Sequence, residues 1–386
     1  MRDVYAIGVG QSQFGRLGKT YTAVQLATIA VKAALKDAGI EAKKLQVAYG
    51  GQAIDNGGLT FAQEVLANFG VDKIEMINVF NACGTGTTAT NLLYRDIAND
   101  VYDIGIAVGA DCMTTASSLP KGKLLAPNNE LDGLLGMSMP AYFALIAQRM
   151  MHDMELTRED LAYPSVKNHK NACLNPYAMY KKPLSTEEIL DSLMISDPLT
   201  LLECCPSTDG AAAIILCSES LARQLSTKAV KIASTEVCSG YFEYPLNDIT
   251  TDQTVQRLMN NAYEKLGIGP EDVDVVELHD AFSSEEISQY SSMGFCKRED
   301  TVKYMREGYF DLGGKVPVNP SGGLLALGHP IGASGVRVLN EIVLQVRGDA
   351  GEHQVEGAKV GAAQMLGGYL TGQVMPIAGG IQFVTK

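Results

Sequence analysis

The chain of 386 residues carries 31 basic and 44 acidic side chains, which gives a net charge of −13. Hydrophobic residues make up 46% of it and charged residues only 19%, which excludes a disordered or fibrous chain. The acidic balance also disfavours general binding to nucleic acid or to an anionic membrane, so we expect neither as a partner. An anionic ligand would need a local basic patch.

The eight cysteines are scattered along the chain, and no two of them are spaced as C-x-x-C. This pattern disfavours a disulfide scaffold and a structural zinc site, and we expect no metal centre. Met1–Tyr5 leads into a strand-like segment rather than the long apolar stretch of a secretory signal. The longest apolar stretch, 133–147, is interrupted by Ser138 and Pro140 and is too short to cross a bilayer. We therefore predict a cytoplasmic protein with reduced thiols.

In the first 115 residues, short β-rich runs alternate with amphipathic helices. The first helix has apolar residues at helical spacing from Val24 to Leu35 and ends at Gly39. We predict strands over 4–9, 47–50, 77–80 and 103–110, and helices over 22–37, 61–69 and 83–97. This alternation is typical of α/β layers, so we assign 1–115 to an N-terminal half.

The segment 116–200 differs from what precedes it, because it contains seven of the 14 prolines. We interpret it as an inserted region of mixed helix and loop. The segment 201–225 then returns a buried strand, at 209–217, to the N-terminal half.

A second α/β half follows over 226–386. Predicted strands cover 230–236, 273–278, 360–366 and 381–385, and predicted helices cover 252–267, 282–290 and 332–347. Each half places a reactive side chain directly after a strand, Cys83 in the first and His279 in the second. The sequence therefore hints at a duplicated core, although residue identity between the halves is weak.

The first reactive candidate is Cys83, in the segment 78–89, where a predicted strand runs into small residues and then into a helix. The thiolate is the nucleophilic form of cysteine, and a helix N-terminus lowers the thiol pKa. Gly84 and Gly86 would let a substrate approach the backbone, and free amides at this turn could hold an oxyanion. We therefore consider Cys83 a candidate nucleophile; the competing interpretation is a buried core cysteine.

Two histidines are the next candidates. His279 ends a predicted strand, where it could face a cleft or form a structural pair with Asp280. His329 lies between Gly328 and Pro330, immediately before a long helix, which is an unusual setting for a core histidine. A histidine beside a cysteine is the general base that generates a thiolate.

Two further segments could contact a ligand. The paired Gly367 and Gly368, at the end of an apolar strand, could donate a backbone N–H or could form a tight turn. The segment 161–186 carries four lysines and no acidic residue. Its lysines, among them Lys167 and Lys170, could meet phosphates or could form a solvated basic face.

Together these motifs resemble the thiolase superfamily, specifically the sterol-carrier-protein-2-like thiolases of archaeal and bacterial type. The segments 78–86 and 322–333 carry the resemblance. The sequence His-Asp-Ala-Phe at 279–282 marks the subgroup, because ordinary thiolases have Asn-Glu-Ala-Phe there. The match extends over essentially the whole chain, with further similarity at 167–178 and 197–213.

The resemblance implies an α/β thiolase fold with five αβαβα layers, built from two similar halves, in an intimate homodimer or a dimer of dimers. It implies coenzyme A thioesters as substrates and coenzyme A as co-substrate, with no permanently bound cofactor. Cys83 would take the acyl group as a thioester, and His329 would activate the Cys83 thiol. His279 and His329 would hold one thioester oxygen, directly or through water. The amides of Cys83 and of Gly367 or Gly368 would form a second oxyanion hole.

The resemblance also implies where coenzyme A and a partner would bind. The residues expected to contact coenzyme A are Lys167, His169, Lys170, Ser321 and Gly322. Some relatives work with a small zinc-ribbon/OB-fold protein. Since this chain has no zinc-ribbon cysteine pairs of its own, such a subunit would bind in trans.

One departure from the family pattern bears on the mechanism. Ordinary thiolases have a second cysteine, an acid/base in a C-x-G-G segment, where this chain has Met365. Some sterol-carrier-protein-2 thiolases place a cysteine after His-Asp, where this chain has Ala281. Methionine cannot transfer a proton. Either a histidine such as His279 or the substrate itself handles the proton, or the protein does not run ordinary acetoacetyl chemistry.

The resemblance favours thiolytic cleavage of a 3-oxoacyl-CoA by free coenzyme A. One candidate is a bulky or aromatic substrate such as benzoylsuccinyl-CoA, from anaerobic toluene breakdown, although nothing in composition or spacing selects it. The alternatives are an acetoacetyl-CoA thiolase that condenses acetyl-CoA for isoprenoid synthesis, and a non-catalytic homologue that binds acyl-CoA.

Overall fold

The computed structural model describes residues 1–54, 60–115, 136–225, 228–240, 248–368 and 378–386 of the protein. Its strands are β1 (Val4–Gln11), β2 (Val47–Gly51), β3 (Glu75–Val79), β4 (Ile104–Cys112), β5 (Met194–Ser196), β6 (Leu199–Thr200), β7 (Asp209–Ser218), β8 (Val230–Ser239), β9 (Val275–Glu277), β10 (Val360–Gly367) and β11 (Ala378–Thr385). Its α-helices are α1 (Ala23–Ala38), α2 (Phe61–Ala67), α3 (Thr85–Ala98), α4 (Met139–Asp153), α5 (Arg158–Ala172), α6 (Thr186–Leu190), α7 (Glu219–Leu225), α8 (Gln253–Leu266), α9 (Ser283–Ser292), α10 (Thr301–Arg306) and α11 (Ile331–Arg347).

Nine strands form one sheet in the order β3-β2-β4-β7-β1-β8-β11-β10-β9. In the N-terminal half, β2 is parallel to β3 and β4, and β7 is antiparallel to β4 and β1. In the C-terminal half, β9 is parallel to β10, and β11 is antiparallel to β10 and β8. The order β9-β10-β11-β8 therefore repeats β2-β4-β7-β1, and a parallel bridge between Val276 and Val318 stands where β3 would be. The duplicated core is visible in the strand order.

The helices complete five layers. Helices α1 and α2 cover the outer face of the N-terminal strands, while α8 packs on β8 and β11 of the C-terminal half. Helices α3 and α11 pack against each other and against strands of both halves, so they form a central layer. The two half-sheets join through a short antiparallel ladder between β1 and β8. This αβαβα arrangement confirms the fold expected from the sequence.

Strand β7 shows why its sequence is apolar without interruption. Successive side chains of a strand point to opposite faces of the sheet. Ala213 and Ile215 pack in the cluster beneath α1, whereas Ala212 and Ile214 pack in the cluster that contains α3 and α11. Since helices cover both faces, all ten residues of β7 are buried.

Local signals in the sequence explain where the helices begin and end. Thr22 precedes α1 and forms a capping box with Gln25, which satisfies amides that have no partner within the helix. Three helices end at a glycine in the left-handed conformation that closes a helix, at Gly39, Gly267 and Gly348. These stops confirm the predicted ends of α1, α8 and α11 within two residues.

The described part of the predicted insertion forms regular helices and strands that pack against the rest of the protein. It contains α4, α5 and α6 and the short pair β5-β6. Helix α5 packs against α9 and against a single π-helical turn at Gly323–Leu327. Residues 116–135, where the insertion is predicted to begin, lie outside the described residues. The division into 1–115, 116–200, 201–225 and 226–386 therefore stays a prediction.

Candidate active site

Cys83 lies in the bend between β3 and α3. Ala82 in this bend has a φ of 46°, and the Asn81 N–H donates to the Thr85 Oγ1 at 2.8 Å. Helix α3 begins at Thr85 and not at Cys83, where the sequence placed its start. Cys83 therefore belongs to the bend, and Gly84 is the residue that caps the helix.

Glycines hold the central helices α3 and α11 in backbone contact. A Cβ on Gly86 would lie 2.6 Å from the backbone nitrogen of Val336, and a Cβ on Gly335 would lie 2.3 Å from that of Thr87. Any side chain at these positions would push the two helices apart. Their contact brings together the segments that precede them, which carry Cys83 and His329.

The Cys83 Sγ lies 3.4 Å from the His329 Nε2. On the other side of the imidazole ring, the Nδ1 lies 2.8 Å from the Ser334 Oγ. Because the Ser334 hydroxyl donates its proton to the Pro330 carbonyl at 3.0 Å, it accepts from the His329 Nδ1–H. The network thus places the proton of His329 on Nδ1 and leaves Nε2 as an acceptor for the thiol. This is the geometry of a general base.

His279 completes the group from the C-terminal half. Its ring centroid lies 5.2 Å from that of His329, with the rings nearly perpendicular. Its Nδ1 lies 2.7 Å from the Glu285 Oε1, whereas its buried Nε2 has no partner within the described residues. The Cys83 Sγ and one ring nitrogen from each histidine lie within 4.8 Å of one another. The structure therefore brings all three predicted residues into one site.

Burial sets the protonation of this site. It raises the pKa of the Cys83 thiol to about 12, with a further contribution from the Glu285 and Asp111 carboxyl groups. It lowers the pKa of His279 to about 3 and that of His329 well below its usual value. The expectation that a helix N-terminus lowers the Cys83 pKa is wrong here, because desolvation dominates. Burial therefore favours the thiol form of Cys83 and the neutral form of both imidazoles.

Asp280 fixes the backbone that leads from His279 to His329. Its carboxylate accepts the N–H groups of Leu324 and Leu325, at 2.6 and 3.2 Å, in the π-helical turn. A Cβ on Gly323 would lie 2.2 Å from one Asp280 oxygen, so only glycine fits there. Asp280 thus binds the backbone of the turn before His329, whereas Glu285 contacts the His279 ring. The proposed His279–Asp280 side-chain pair does not form.

Gly367 lies beside the bend that carries Cys83, and Gly368 directly follows it in the chain. A Cβ on Gly367 would be 2.7 Å from the Gly84 amide nitrogen and 3.0 Å from that of Cys83. The end of β10 therefore touches the bend at Cys83, as a second oxyanion hole would require. Met365, two residues before Gly367, is fully buried and packs in the apolar central cluster.

Three residues expected to contact coenzyme A are buried and make contacts inside the protein instead. The Lys167 ammonium binds Glu286 Oε1 at 2.9 Å, and it donates to Asn168 Oδ1 and to the Val318 carbonyl, both at 2.6 Å. These contacts use all three of its N–H donors, so the expected contact of Lys167 with a phosphate is wrong.

The same correction applies to Ser321 and Gly322. The amide and hydroxyl of the fully buried Ser321 donate to Glu277, at 3.0 and 2.8 Å, and its hydroxyl accepts from Arg337. A Cβ on Gly322 would lie 2.6 Å from the Ala172 side chain, so its close approach is to α5 and not to a ligand.

The remaining expected contacts differ from each other. His169 is buried and stacks on Tyr180, with ring centroids 5.3 Å apart. Lys170, one residue later, is exposed near the end of α5. Lys170 is thus placed where a phosphate could reach it.

Sequence reasoning missed Glu285 and Ser334, which orient the two histidines. Each lies five or six residues beyond its histidine, in the first turn of the helix that follows. That spacing is a usable signal, because a residue in the first turn can reach back to a side chain in the preceding loop.

The N-terminal domain of thiolase matches residues 4–220, and the thiolase C-terminal domain-like model matches 244–379. The chain belongs to the thiolase family. It is 37% identical to the benzoylsuccinyl-CoA thiolase subunit BbsB of Thauera aromatica, over 92% of each chain. It is 36% identical to an acetyl-CoA acetyltransferase of Methanothermobacter thermautotrophicus, over 95% of this chain and 97% of that one.

Two further likenesses extend the comparison. The chain is 34% identical to human sterol carrier protein 2, over 95% of this chain and 70% of that protein. The solved structure of an Ltp2-ChsH2(DUF35) aldolase has the same fold, with a TM-score of 0.83 at 24% identity, covering 98% of this chain and 97% of that one. The protein is accordingly a thiolase-family acyltransferase with relatives of the sterol-carrier-protein-2 type. No helix in its described ranges is long and apolar enough to cross a membrane.

Proposed function

We propose that the protein cleaves a 3-oxoacyl-CoA with free coenzyme A, with Cys83 as nucleophile. The observation that supports this most directly is the 3.4 Å contact between the Cys83 Sγ and the unprotonated Nε2 of His329. A thiol whose pKa is about 12 is a poor nucleophile by itself. A neutral imidazole at this distance removes that obstacle, because it takes the thiol proton as the sulfur attacks.

In the first half of the reaction, the Cys83 thiol transfers its proton to the His329 Nε2 and the sulfur attacks the 3-oxo carbon. The C2–C3 bond then breaks, which leaves an acyl group on Cys83 and a shortened acyl-CoA that gains a proton at C2. In the second half, the thiolate of free coenzyme A attacks the Cys83 thioester, and the Cys83 sulfur recovers its proton. Coenzyme A is the co-substrate, and none of these steps requires a permanently bound cofactor.

Two donor sets would stabilise the developing negative charge. The Nε2 of His279 points into the site without a partner among the described residues, and with His329 it would hold a thioester oxygen. The amides at Cys83 and at Gly367 or Gly368 would hold the second oxyanion, because the end of β10 touches this bend. Replacing Cys83 with Ala should abolish acyl transfer and leave the fold intact; substantial remaining thiolysis would refute the assignment.

For the substrate, we favour a bulky 3-oxoacyl-CoA such as benzoylsuccinyl-CoA. The apolar Met365 and the small Ala281 stand where related enzymes carry a second cysteine, and a 37% identical relative is named as a benzoylsuccinyl-CoA thiolase subunit. The second candidate is condensation of acetyl-CoA, since a 36% identical relative is an acetyl-CoA acetyltransferase. Thiolysis rates with acetoacetyl-CoA, a long-chain 3-oxoacyl-CoA and benzoylsuccinyl-CoA separate these. A preference for acetoacetyl-CoA would refute the bulky substrate.

The non-enzymatic alternative is a protein that binds acyl-CoA without turning it over. Mass spectrometry of the protein after incubation with acyl-CoA distinguishes the two, because only an enzyme of the proposed kind gains an acyl group on Cys83. Among the residues expected to contact coenzyme A, Lys170 is exposed and remains the proposed phosphate contact, with His169 beside it.

The proposed assembly is a homodimer or a dimer of dimers, with a small zinc-ribbon/OB-fold subunit as a further partner. Strand β3 is at the sheet edge, and Phe80 directly after it is 72% exposed, which leaves an apolar edge open for a second copy. The small subunit is suggested by the DUF35 component of the aldolase structure and by the subunit name of the Thauera relative. Light scattering tests the number of copies in the assembly, and co-purification from the native host tests the small subunit.

A further inference from the structure

Glu285 is a buried acid of the site with an unusual set of partners. It lies in the first turn of α9 and is 3% exposed. Its Oε1 lies 2.7 Å from the His279 Nδ1, and its Oε2 accepts the Ala281 N–H at 3.2 Å. Within the described residues, His279 is the only group that forms an ion pair with it. Glu285 is thus connected to the Cys83 site through the imidazole ring of His279.

The neighbouring Glu286 shows what a structural carboxylate looks like in the same helix. Glu286 binds the Lys167 ammonium at 2.9 Å and accepts from the amides of Asn168 and Asn319, each at 2.8 Å. The Glu286 carboxyl group is thus surrounded by a cation and by side-chain donors, which also include the Tyr290 hydroxyl. Among the described residues, Glu285 is met by the His279 ring and the Ala281 N–H and by no cation comparable to Lys167, so the surroundings of the two adjacent acids differ.

Electrostatics favour a Glu285–His279 pair with no net charge. Burying an unpaired charge is costly, so buried groups neutralise instead. Desolvation raises the pKa of Glu285 well above its usual value and lowers that of His279 to about 3. Within the described ranges, the other titratable groups near Glu285 are Cys83, Tyr142, Cys205 and Asp252, and none of them is a cation.

A neutral pair has one consequence for the site. It holds two protons, one on the Glu285 carboxyl and one on the imidazole. When the Glu285 Oε1–H donates to the His279 Nδ1, the remaining proton must be on Nε2, which faces Cys83 and His329. If instead the pair is carboxylate and imidazolium, Nε2 carries a proton as well. In both states His279 presents an N–H to the substrate, with a second proton in reserve behind it.

We propose that Glu285, acting through His279, supplies and recovers the proton that a second cysteine handles in ordinary thiolases. This inference rests on the proposed thiolase function. When the C2–C3 bond breaks, the His279 Nε2–H protonates C2 of the departing acyl-CoA. The Glu285 proton passes to Nδ1 in the same step, which leaves a Glu285 carboxylate and a neutral imidazole. Free coenzyme A then attacks the Cys83 thioester as its thiolate, having released its thiol proton to water, and water returns a proton to the His279 Nε2 while the Nδ1 proton passes back to Glu285.

The variant Glu285→Gln separates this role from a structural one. An amide in place of the acid can donate its N–H to the His279 Nδ1 and accept from the Ala281 N–H, so it preserves the orientation of His279 and the Nε2–H donor. It cannot release a proton. Thioester exchange between acetyl-CoA or benzoyl-CoA and labelled coenzyme A needs only the donor. Solvent deuterium uptake at C2 of acetyl-CoA or succinyl-CoA needs the proton relay.

We expect Glu285→Gln to keep thioester exchange within about threefold of the unmodified protein while deuterium uptake falls by about 100-fold or more, the usual contribution of a positioned acid/base. Glu285→Asp, which keeps an acid, should recover part of the uptake. If the Gln variant does not fold, the Asp variant decides: its uptake should fall at least about tenfold more than its exchange.

Two further variants serve as controls. Glu341 and His353 form a second buried pair, with 3.0 Å between Oε1 and Nε2, and neither belongs to the group of Cys83, His279 and His329. Glu341→Gln should therefore leave the ratio of uptake to exchange unchanged. Cys205→Ala tests a rival, because the Cys205 N–H donates to the Ala281 carbonyl at 2.8 Å, next to the position of the missing cysteine.

The outcomes separate the two levels of the argument. Equal losses of exchange and uptake in Glu285→Gln, unchanged uptake, or a selective loss in Cys205→Ala would each overturn the role of Glu285 alone. An unmodified protein that exchanges no thioester with any of these probes overturns the proposed thiolase function, and the role of Glu285 with it.

Discussion

Ser334 offers a direct test of how His329 is prepared to act as a base. Its hydroxyl accepts the His329 Nδ1–H at 2.8 Å while donating to the Pro330 carbonyl at 3.0 Å. The change Ser334→Ala removes the acceptor and leaves a buried N–H without a partner. It also frees the ring to carry its proton on Nε2, where it could no longer accept the thiol proton of Cys83.

The size of the effect follows from how the bond changes during the reaction. A neutral hydrogen bond contributes about 1 kcal/mol, whereas one to a charged group contributes about 1.5–3 kcal/mol. The bond to Ser334 therefore strengthens by about 0.5–2 kcal/mol as His329 becomes an imidazolium. Losing that gain should slow acylation of Cys83 by ~2–30-fold, at 1.36 kcal/mol per tenfold. The KM should change little, because Ser334 is buried behind the ring.

Rapid mixing with an acyl-CoA, followed by release of coenzyme A in the first turnover, measures this acylation step. Ser165→Ala is the matched control: Ser165 is fully buried in α5, and its hydroxyl has no partner within the described ranges. A folded Ser334→Ala protein that acylates at the original rate would refute the assignment of the Nδ1 tautomer. An equal slowing in the Ser165 variant would show that the loss is one of packing.

Three other changes give expected outcomes of different kinds. Gly86→Ala places a Cβ 2.6 Å from the Val336 nitrogen, so we expect a loss of at least about 1–3 kcal/mol in the free energy of unfolding, measured with urea. Lys167→Met should destabilise the fold by about 3–5 kcal/mol, because it leaves a buried carboxylate uncompensated; a fully stable variant with a raised KM for coenzyme A would restore the original phosphate assignment. Lys170→Ala, in contrast, should raise the KM for coenzyme A by a few-fold and leave the free energy of unfolding unchanged. Finally, the iodoacetamide reactivity of Cys83 without substrate should stay low at pH 7 and continue to rise above pH 9, since the thiol pKa is raised to about 12; a plateau near neutral pH would contradict the buried neutral site.

The sequence could offer Cys83, His279 and His329 as candidate reacting residues because each lies in a local pattern. Cys83 follows a strand and precedes a helix, His279 ends a strand, and His329 stands in a glycine-rich loop before a helix. Such positions are determined by neighbours in the chain. The structure adds the distances between them, which depend on how two distant helices pack and which no local pattern contains.

Three of the five residues expected to contact coenzyme A, namely Lys167, Ser321 and Gly322, are buried in contacts within the protein, and the reason is physical. The polar sequence of α5 resembles an exposed basic helix, yet ten of its 15 residues, Lys167 included, are buried. Lys167 is buried because Glu286 and the Val318 carbonyl, far along the chain, meet its ammonium inside the protein. A polar residue can be placed by sequence alone only when its partner is local. Lys170, whose side chain stays exposed, fits the simple expectation.

The duplication explains why the candidate pair of Cys83 and His329 spans the two halves. Helices α3 and α11 occupy equivalent places in the repeat, since each leads into the strand, β4 or β10, that stands third from the shared edge of its half-sheet. Cys83 precedes one helix and His329 precedes the other. Because Gly86 and Gly335 let these helices touch at their first turns, the 3.4 Å contact between sulfur and imidazole is set by the same packing that joins the halves. A substitution that separates the helices should therefore reduce stability and acylation together, whereas one in the Ser334 or Glu285 contacts should change the chemistry first.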